Sequence, residues 1–395
     1  MNDAKRGVKI LHFLPRWTNG GMEHAVLDIV EHFRNQGPNV EYEICTAFQE
    51  SDYGLESLKE RGVRFSVCGD GGTYRFEACL VGLCRSLKSE VVDVLHCHIN
   101  NSFGLTFALV AKQLGVRYVI VHTHNNAFGE GHLLVKNVLR KLCILLLAGV
   151  PDFYLACSDE SGRWTFGQRV VKSNHYHVVH NGINRKKFEY NPEARTALRK
   201  QYGLEDRWIV GHIGHFNYQK NQTFLLQTVC DTARQIPNVH YFFVGTGETQ
   251  KAFLEKATRL GLQDRITVVD SVNNAEDYYS MFDLFAFPSH FEGFGIVMLE
   301  AQMSGLPVLC SEYVPLETDI SHQVQFMPID EPDSAQIWSR AIIESKQKTN
   351  RKLRTAAPDC AKYDIERISR EIEGYYTELM ENRENENRHP DLVAK

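Results

Sequence analysis

Short, nearly unbroken apolar runs alternate along this chain with longer segments in which apolar residues recur at helical spacing. VKILHFL, EYEICTAF, VVDVLHCH, YVIVHTH and DFYLACS have the length and continuity of strands, and Met22 to Arg34 and Phe103 to Leu114 have the period of helices. Strands this uniformly hydrophobic suit a parallel sheet covered on both faces rather than one open to water. The same alternation restarts at WIVGHIGHF and continues through VHYFFVG, ITVVDS, LFAFPSH and PVLCSE. The pattern predicts an α/β protein of two doubly wound domains. Between them lies the polar stretch HNGINRKKFEYNPEARTALRK, whose Gly182 and Pro192 mark a hinge. Open sheets of this kind bind ligands at the carboxyl ends of their strands, so the two domains are expected to face each other across a cleft. Further on, IERISREIEGYYTELM has helical spacing, and the polar ENRENENRHPDLVAK reads as a frayed tail.

A length of 395 residues supports the division, being too long for one ordinary core. With 43% hydrophobic and 24% charged residues the composition is that of a globular protein. A net charge of -5 without any long basic run argues against a nucleic-acid partner. The cysteines are scattered, with no C-x-x-C pair, and Cys45, Cys68, Cys97, Cys157 and Cys310 fall in or beside strand-like runs, as reduced core thiols do. The amino terminus passes from a short polar lead into a strand without a signal-peptide pattern, so a cytoplasmic protein is expected. The apolar run LCILLLAGV falls far short of the roughly 20 residues needed to cross a bilayer.

One stretch concentrates chemistry. PSHFEGFGIVMLEAQMSGLPVLCSE, Pro288 to Glu312, follows the strand-like LFAFP with an acid, a Gly-Phe-Gly and a second acid. If Leu284 to Pro288 is a strand and Ile296 to Ser304 a helix, Glu292 lies in the connecting loop and Glu300 in the helix. Gly293 and Gly295 permit close approach of backbone to a ligand, and the free N–H groups at the helix start favour negative charge. A phosphate beside the vicinal hydroxyls of a sugar fits both features; so does a plain capped helix.

FEGFGIVMLEAQMSGLPVL resembles the E-x7-E signature of retaining, nucleotide-sugar-dependent glycosyltransferases of family 4 with the GT-B fold, and the similarity extends from Val8 to about Tyr376. The resemblance implies two Rossmann-like domains: an acceptor-binding one over 1–183 and a nucleotide-sugar-binding one over 184–363. It implies that 364–395 forms a helix crossing back toward the first domain, plus the tail. It further implies transfer of a sugar from a nucleotide diphosphate to a hydroxyl of a glycan or lipid-linked glycan. By analogy with exopolysaccharide and capsule enzymes the donor would be a UDP-sugar, with no cofactor or metal required.

Carried over position by position, the resemblance makes Glu292, His124 and Lys220 the expected catalytic residues. Glu292 and the amides of Phe294 and Gly295 would meet the sugar, and Glu300 the ribose hydroxyls. In GHIGHFNYQKNQTFLL, Lys220 matches the lysine of a basic pair on the pyrophosphate, whereas His215 stands where the family usually has arginine. Histidine titrates near neutrality and arginine does not, so phosphate binding is expected to be weaker or pH-dependent. NGGMEHA resembles the family's Gly-Gly loop, in which Gly20 and Gly21 would let backbone N–H groups meet the donor phosphates or the acceptor. In VGTGE, Gly245 and Gly247 read as a phosphate-side turn or as an ordinary tight turn. Ser271 and Val272 in VVDSVNN stand where relatives hold the base. His124 aligns with a histidine near the donor sugar, with His122 deeper on the same face. His96, His98, His122 and His124 could also gather as metal ligands, a reading the resemblance does not favour.

From Gly131 to Tyr190 the chain carries nine Lys or Arg against four acids, and HLLVKNVLRKLCILLLAG has an apolar face interrupted by Lys136, Arg140 and Lys141. Such a helix either attaches 131–150 to anionic lipid at the inner face of the plasma membrane or buries its apolar side in the domain with a solvated edge. Three other functions compete with transfer: a nucleotide-sugar 2-epimerase of the same fold, a non-catalytic glycan-synthesis scaffold, and an NAD-dependent oxidoreductase. The last fits loosely, because NGGMEHA replaces G-x-G-x-x-G.

Overall fold

A computed structural model of the chain describes residues 7–18, 20–33, 40–70, 74–128, 133–348 and 360–388. The chain divides into two compact units, one formed by Met1–Phe128, His132–Gly182 and Ile365–Lys395, the other by Gly129–Gly131 and Ile183–Asp364.

Unit 1 is built on a sheet of β1 (Val8–Trp17), β2 (Val40–Gln49), β3 (Arg64–Val67), β4 (Val94–Ile99), β5 (Tyr118–Thr123), β6 (Phe153–Ala156) and β7 (Tyr176–Val178). Their order is β3-β2-β1-β4-β5-β6-β7, with every pairing parallel. The order reverses between β1 and β4, which makes the carboxyl ends of those two strands the switch point where open sheets bind ligands. Alternation sends Phe13, Leu95 and Val121 to one face, where Phe107 and Leu83 pack on them. On the other face Ile10, Leu14 and Ile120 meet Val26 and the C-terminal helix Ile365–Arg388, which supplies Ile365, Ile368, Ile372 and Tyr376. Both faces are covered, as the continuous hydrophobicity of the strands predicts.

Unit 2 holds β8 (Trp208–Ile213), β9 (Val239–Val244), β10 (Ile266–Val269), β11 (Leu284–Phe287), β12 (Val308–Ser311) and β13 (Gln325–Met327). The order β10-β9-β8-β11-β12-β13 is again parallel and reverses between β8 and β11. Beneath that switch point the buried Asp283 accepts from the Ile209 amide at 2.8 Å and pairs with Arg195 and Arg199, clamping the start of β11 to β8. β11 then leads through a loop into the helix Ile296–Met303, close to the bounds read from the sequence.

The helix Leu133–Leu147 does not bury its apolar side: none of its residues is buried. Arg140 donates to the Trp164 carbonyl and lies over that indole at 5.4 Å, and Ile144 packs against Gly167, so this is the inner side. Leu134, Leu145 and Leu146 point away, at 85%, 78% and 71% exposure. The reading in which the apolar side is packed into the domain is thereby overturned; residues 131 and 132 of the segment 131–150 lie outside the described residues. Among the described residues no helix is long and apolar enough to cross a membrane.

Candidate active site

The loops that follow β8 and β11 are neighbours because the strands are, and the chain ties them together. The His290 amide donates to the Gln219 carbonyl at 2.8 Å, the Gln219 side chain to the Phe291 carbonyl at 3.1 Å, and the Asn221 side chain to the Pro288 carbonyl at 3.1 Å. Tyr218 stacks on His290 with ring centroids 4.4 Å apart. Within this frame the Asn217 side chain accepts from the Lys220 amide, and the Lys220 ammonium meets Glu292 Oε1 at 2.7 Å while lying 4.8 Å from the Phe287 ring centre. Glu292 is only 4% exposed. Two residues far apart in sequence thus form a nearly dry ion pair at the carboxyl end of the sheet's switch point. A carboxylate held in this way accepts hydrogen bonds from hydroxyls, and the ammonium beside it attracts an anion.

Glu300 lies on the helix Ile296–Met303, buried, with the Tyr279 hydroxyl donating to its Oε2 at 2.6 Å. Burial pushes its pKa up to about 7, against the opposing effect of the Tyr279 hydrogen bond. The folded state therefore holds this proton more tightly than the unfolded chain does. The resulting stabilisation is complete at pH values below the ordinary carboxylate range and is lost as pH rises through about 7. Integrated over that window the loss is about 3 kcal/mol. Glu300→Gln, which keeps an acceptor for Tyr279, is expected to remove the dependence. Urea unfolding should then show the variant gaining on the parent as pH is raised from about 5 to 8; an equal difference at both ends would show that Glu300 is ionised throughout.

The remaining sequence-predicted residues of unit 2 separate into two groups. Phe294 is buried with its ring 5.4 Å from that of Tyr363, which turns its side chain into the core, and Gly295 takes a left-handed φ of 83° as the residue capping the helix. His215 is half exposed on the loop after β8, with Nε2 3.3 Å from Glu248 Oε2. Gly245 and Gly247 have φ of 143° and 154°, and a Cβ on either would come within 2.2 Å of the carbonyl of Gly214 or Phe216. Their close approach is thus to the loop carrying His215, a tight backbone contact made within the protein. Ser271 is exposed and 3.2 Å from the Thr246 hydroxyl, and Val272 is half-buried.

In unit 1 the structure brings His96, His98, His122 and His124 together and adds His12. Register places His12 opposite His96 on β1 and β4, and His98 opposite His122 on β4 and β5. A hydrogen-bonded line runs from His96 Nδ1 to the Tyr376 hydroxyl at 2.6 Å, from there to His12 Nε2 at 3.2 Å, and from His12 Nδ1 to His98 Nε2 at 3.1 Å. It ends at His124 Nε2, 2.9 Å from His98 Nδ1. Burial holds His12 and His124 down to about 3 and His96, His98 and His122 well below the ordinary histidine range. Nitrogens of His12, His96 and His98, and of His98, His122 and His124, lie within 4.8 Å of one another.

At the end of β1, Gly20 precedes the helix Gly21–Glu31 and Gly21 is its first residue; Asn19 lies outside the described residues. Glu23 folds back, 4% exposed, to accept from the Thr18 amide at 3.2 Å, and a Cβ on Gly20 would fall 2.9 Å from its Oε2. Burial raises the Glu23 pKa.

Sequence reasoning missed Tyr279, Glu23, His12, Tyr376 and His212. The last is fully buried beneath Gly214, with Nδ1 2.9 Å from the Ala286 carbonyl and its pKa pushed by burial down to about 4. The only signal for His12 was the period-two placement of a lone histidine in β1, and nothing in the sequence ties Tyr279 or Tyr376 to a partner.

Two family models cover most of the chain: Glycosyltransferase Family 4 matches residues 19–187, and Glycosyl transferases group 1 matches residues 194–359. EpsF of Bacillus subtilis (strain 168), a protein named as a glycosyltransferase, is 26% identical over 352 residues, 87% of this chain and 88% of its own. The capsular polysaccharide biosynthesis glycosyltransferase CapH of Staphylococcus aureus is 24% identical over 382 residues, 93% of this chain and 98% of its own. Among solved structures, Anabaena HepE in complex with UDP and glucose superposes with a TM-score of 0.76 at 19% identity, covering 94% of this chain and 99% of that one. With two parallel α/β units of this topology and both family models in sequence, the chain belongs to glycosyltransferase family 4 and has the GT-B fold.

Proposed function

We propose that the chain is a retaining glycosyltransferase that moves a hexosyl or N-acetylhexosaminyl group from a UDP-sugar to a hydroxyl of a glycan or lipid-linked glycan in surface polysaccharide synthesis. The observation that carries this reading is the pair of half-buried Lys220 and buried Glu292 at the β8–β11 switch point, with Glu300 following on the next helix. In this assignment Lys220 and His215 bind the pyrophosphate, Glu300 the ribose hydroxyls, and Glu292 with the amides of Phe294 and Gly295 the sugar. Gly245, Ser271 and Val272 line the base and phosphate side. Negative charge grows on the departing diphosphate as the glycosidic bond breaks, and a preorganised ammonium and helix N–H groups lower that barrier.

Glu292 is tied to Lys220, so its role is to accept from sugar hydroxyls and set the local field rather than to form a covalent intermediate. A departing phosphate oxygen takes the acceptor's proton on the same face of the sugar, which preserves the anomeric configuration. His124 positions the sugar or the acceptor. Gly20 and Gly21 are assigned to the acceptor, because the buried Glu23 beside them disfavours a phosphate. Uridine as the base is supported by the UDP complex of HepE, and a surface polysaccharide by the name of CapH. No metal is assigned. A lipid-linked acceptor places the protein peripherally at the inner face of the plasma membrane.

Thermal unfolding with UDP, GDP and ADP, each without added metal, tests the donor. UDP at a hundredfold over its dissociation constant is expected to stabilise the fold by about 2.7 kcal/mol, seen as a rise of a few degrees that the other two do not match. No rise with any of them would favour the scaffold. Release of a 2-epimer without an acceptor would favour the epimerase. Proton NMR of the linkage formed decides retention, an inverted anomer removing that part of the reading.

A further inference from the structure

His122 and His124 stand two apart on β5, which sends both side chains to one face, and the register sets His98 of β4 opposite His122. A pair at i and i+2 with a third residue across from it gathers three imidazoles around one point. Ring centres of His98 and His122, His98 and His124, and His122 and His124 are 5.5, 5.2 and 4.3 Å apart, with planes inclined by 39°, 33° and 33°. Planes inclined in this way let lone pairs that lie within the rings converge. The deeper trio of His12, His96 and His98 is less suited, because His98 lies nearly parallel to the other two, at 12° and 20°. Behind each ring of the outer trio stands a partner for its second nitrogen. His98 Nε2 is 3.1 Å from His12 Nδ1, the Asn181 side chain is beside His124, and the Val179 backbone is beside His122. Yet both ring nitrogens of His122, Nδ1 of His124 and Oδ1 of Asn181 are buried and make no hydrogen bond of good geometry. Buried polar atoms left in this state call for an explanation.

We propose that His98, His122 and His124 form a zinc site, in which three neutral imidazoles bind the cation and a water or a sugar hydroxyl takes the fourth position. The donors are all imidazole nitrogens, which suit zinc and not magnesium or calcium, cations that take oxygen. Nitrogens of the three lie within 4.8 Å of one another, against about 3.4 Å between ligands of a tetrahedral zinc, so the rings close by no more than about 1.4 Å. His98 ligates through Nδ1, which stands 2.9 Å from His124 Nε2, and keeps its hydrogen bond to His12. His124 ligates through Nε2 and carries its proton on Nδ1, beside Asn181 Oδ1. The cation thus gives the lone pairs a partner, and the outer partners orient the rings as they do at built zinc sites. His124 alone of the three is partly exposed, so the fourth position opens beyond the end of β5. Transfer as proposed needs no metal; a zinc on His124 withdraws that ring from the sugar or the acceptor and slows transfer. That consequence rests on the proposed function, whereas the site does not.

The test is equilibrium dialysis of the full-length protein, stripped with EDTA and carrying no histidine tag, against zinc chloride at micromolar free metal. One zinc per chain is expected, and no magnesium from magnesium chloride. Cobalt(II) in place of zinc should give the intense visible bands of a four-coordinate site without a thiolate charge-transfer band, which sets the cysteines aside. His124→Gln and His122→Leu should each weaken zinc binding at least about a hundredfold, more than the loss of an outer partner costs. His96→Gln, a change in the deeper trio alone, should leave it intact. Circular dichroism in EDTA checks that the variants fold, and His124→Gln, at the partly exposed end of the line, decides the matter should His122→Leu not fold. No retained zinc, a pale six-coordinate cobalt spectrum, or zinc held undiminished by His124→Gln overturns the proposal. So does binding lost in His96→Gln and kept in His124→Gln, which would move the metal to the deeper trio. Zinc should also slow transfer by the parent, and EDTA should restore it. A metal-free parent that transfers no sugar yet binds one zinc would reject the proposed function and leave the site standing.

Discussion

A Lys220→Ala protein is expected to transfer sugar about a hundred- to a thousandfold more slowly than the parent. The reason lies in what the lysine does before any donor arrives. Its ammonium sits 2.7 Å from a carboxylate that is almost wholly out of water. Without it Glu292 is an uncompensated buried charge, which takes up a proton or draws in water. Under the proposed assignment the variant loses the cation on the leaving diphosphate and, in the same step, the ionised acceptor for the sugar hydroxyls. Glu292→Gln separates the two effects: it leaves Lys220 a hydrogen-bond partner and the diphosphate its cation. Steady-state kinetics should show kcat depressed in Glu292→Gln with the UDP thermal shift intact, whereas Lys220→Ala should lose both. A Lys220→Ala enzyme within about threefold of the parent would mean that the pair is a structural buckle between two loops, its charges irrelevant to transfer.

The second large effect is an acid limit on stability set by the histidines of unit 1. Each neutral imidazole in the line from His96 to His124 offers one N–H and one lone pair, so each link has a donor facing an acceptor. A proton added to a nitrogen that accepts within the line turns it into a donor and sets two N–H groups against each other, and a proton added anywhere in the line places charge where burial already penalises it. Histidines whose folded pKa is depressed add no penalty above the ordinary value of about 6.5. Below it the unfolded chain binds protons that the folded chain refuses. Each such histidine then costs about 1.4 kcal/mol per pH unit, so that five together remove about 7 kcal/mol near pH 5.5. That is comparable with the whole stability of a typical domain. Urea unfolding followed by circular dichroism is expected to show the midpoint falling steeply below pH 6.5, with a slope of several protons. His122→Leu should reduce that slope by one. A slope near zero in the parent would mean that the imidazoles titrate freely inside the fold.

How much of this was legible in the sequence depends on what each feature rests upon. The central strands β1, β4, β5, β8, β9 and β11 are buried on both faces, and their continuous hydrophobicity announces them. β3, β7 and β13 are short and lie at sheet edges, half exposed, and so leave no such run. Glu292, Glu300 and Lys220 stood out through a motif; Tyr279, which holds Glu300, could not, since its partner is set by how two helices meet and not by spacing along one of them. The Leu133–Leu147 helix marks the opposite limit. Periodicity shows that one side is apolar but is silent about which side turns inward, and here Arg140 turns inward beside Ile144 while Leu134, Leu145 and Leu146 stay outside.

The C-terminal helix Ile365–Arg388 completes the same core as β1, although all of unit 2 lies between them in the chain. On the ribosome the first half of the protein must therefore wait. Its sheet can pair, but the face bearing Ile10, Leu14 and Ile120 stays uncovered until Ile368, Ile372 and Tyr376 leave the exit tunnel. Unit 2, which apart from Gly129–Gly131 runs unbroken from Ile183 to Asp364, can close while translation continues. A nascent chain stalled or truncated before Ile365 would carry an open apolar sheet face and its histidines in water, which makes it a substrate for chaperones and proteases. Quality control of this enzyme thus reads the helix Ile365–Arg388, and a cut before Ile365 acts on the folding of unit 1.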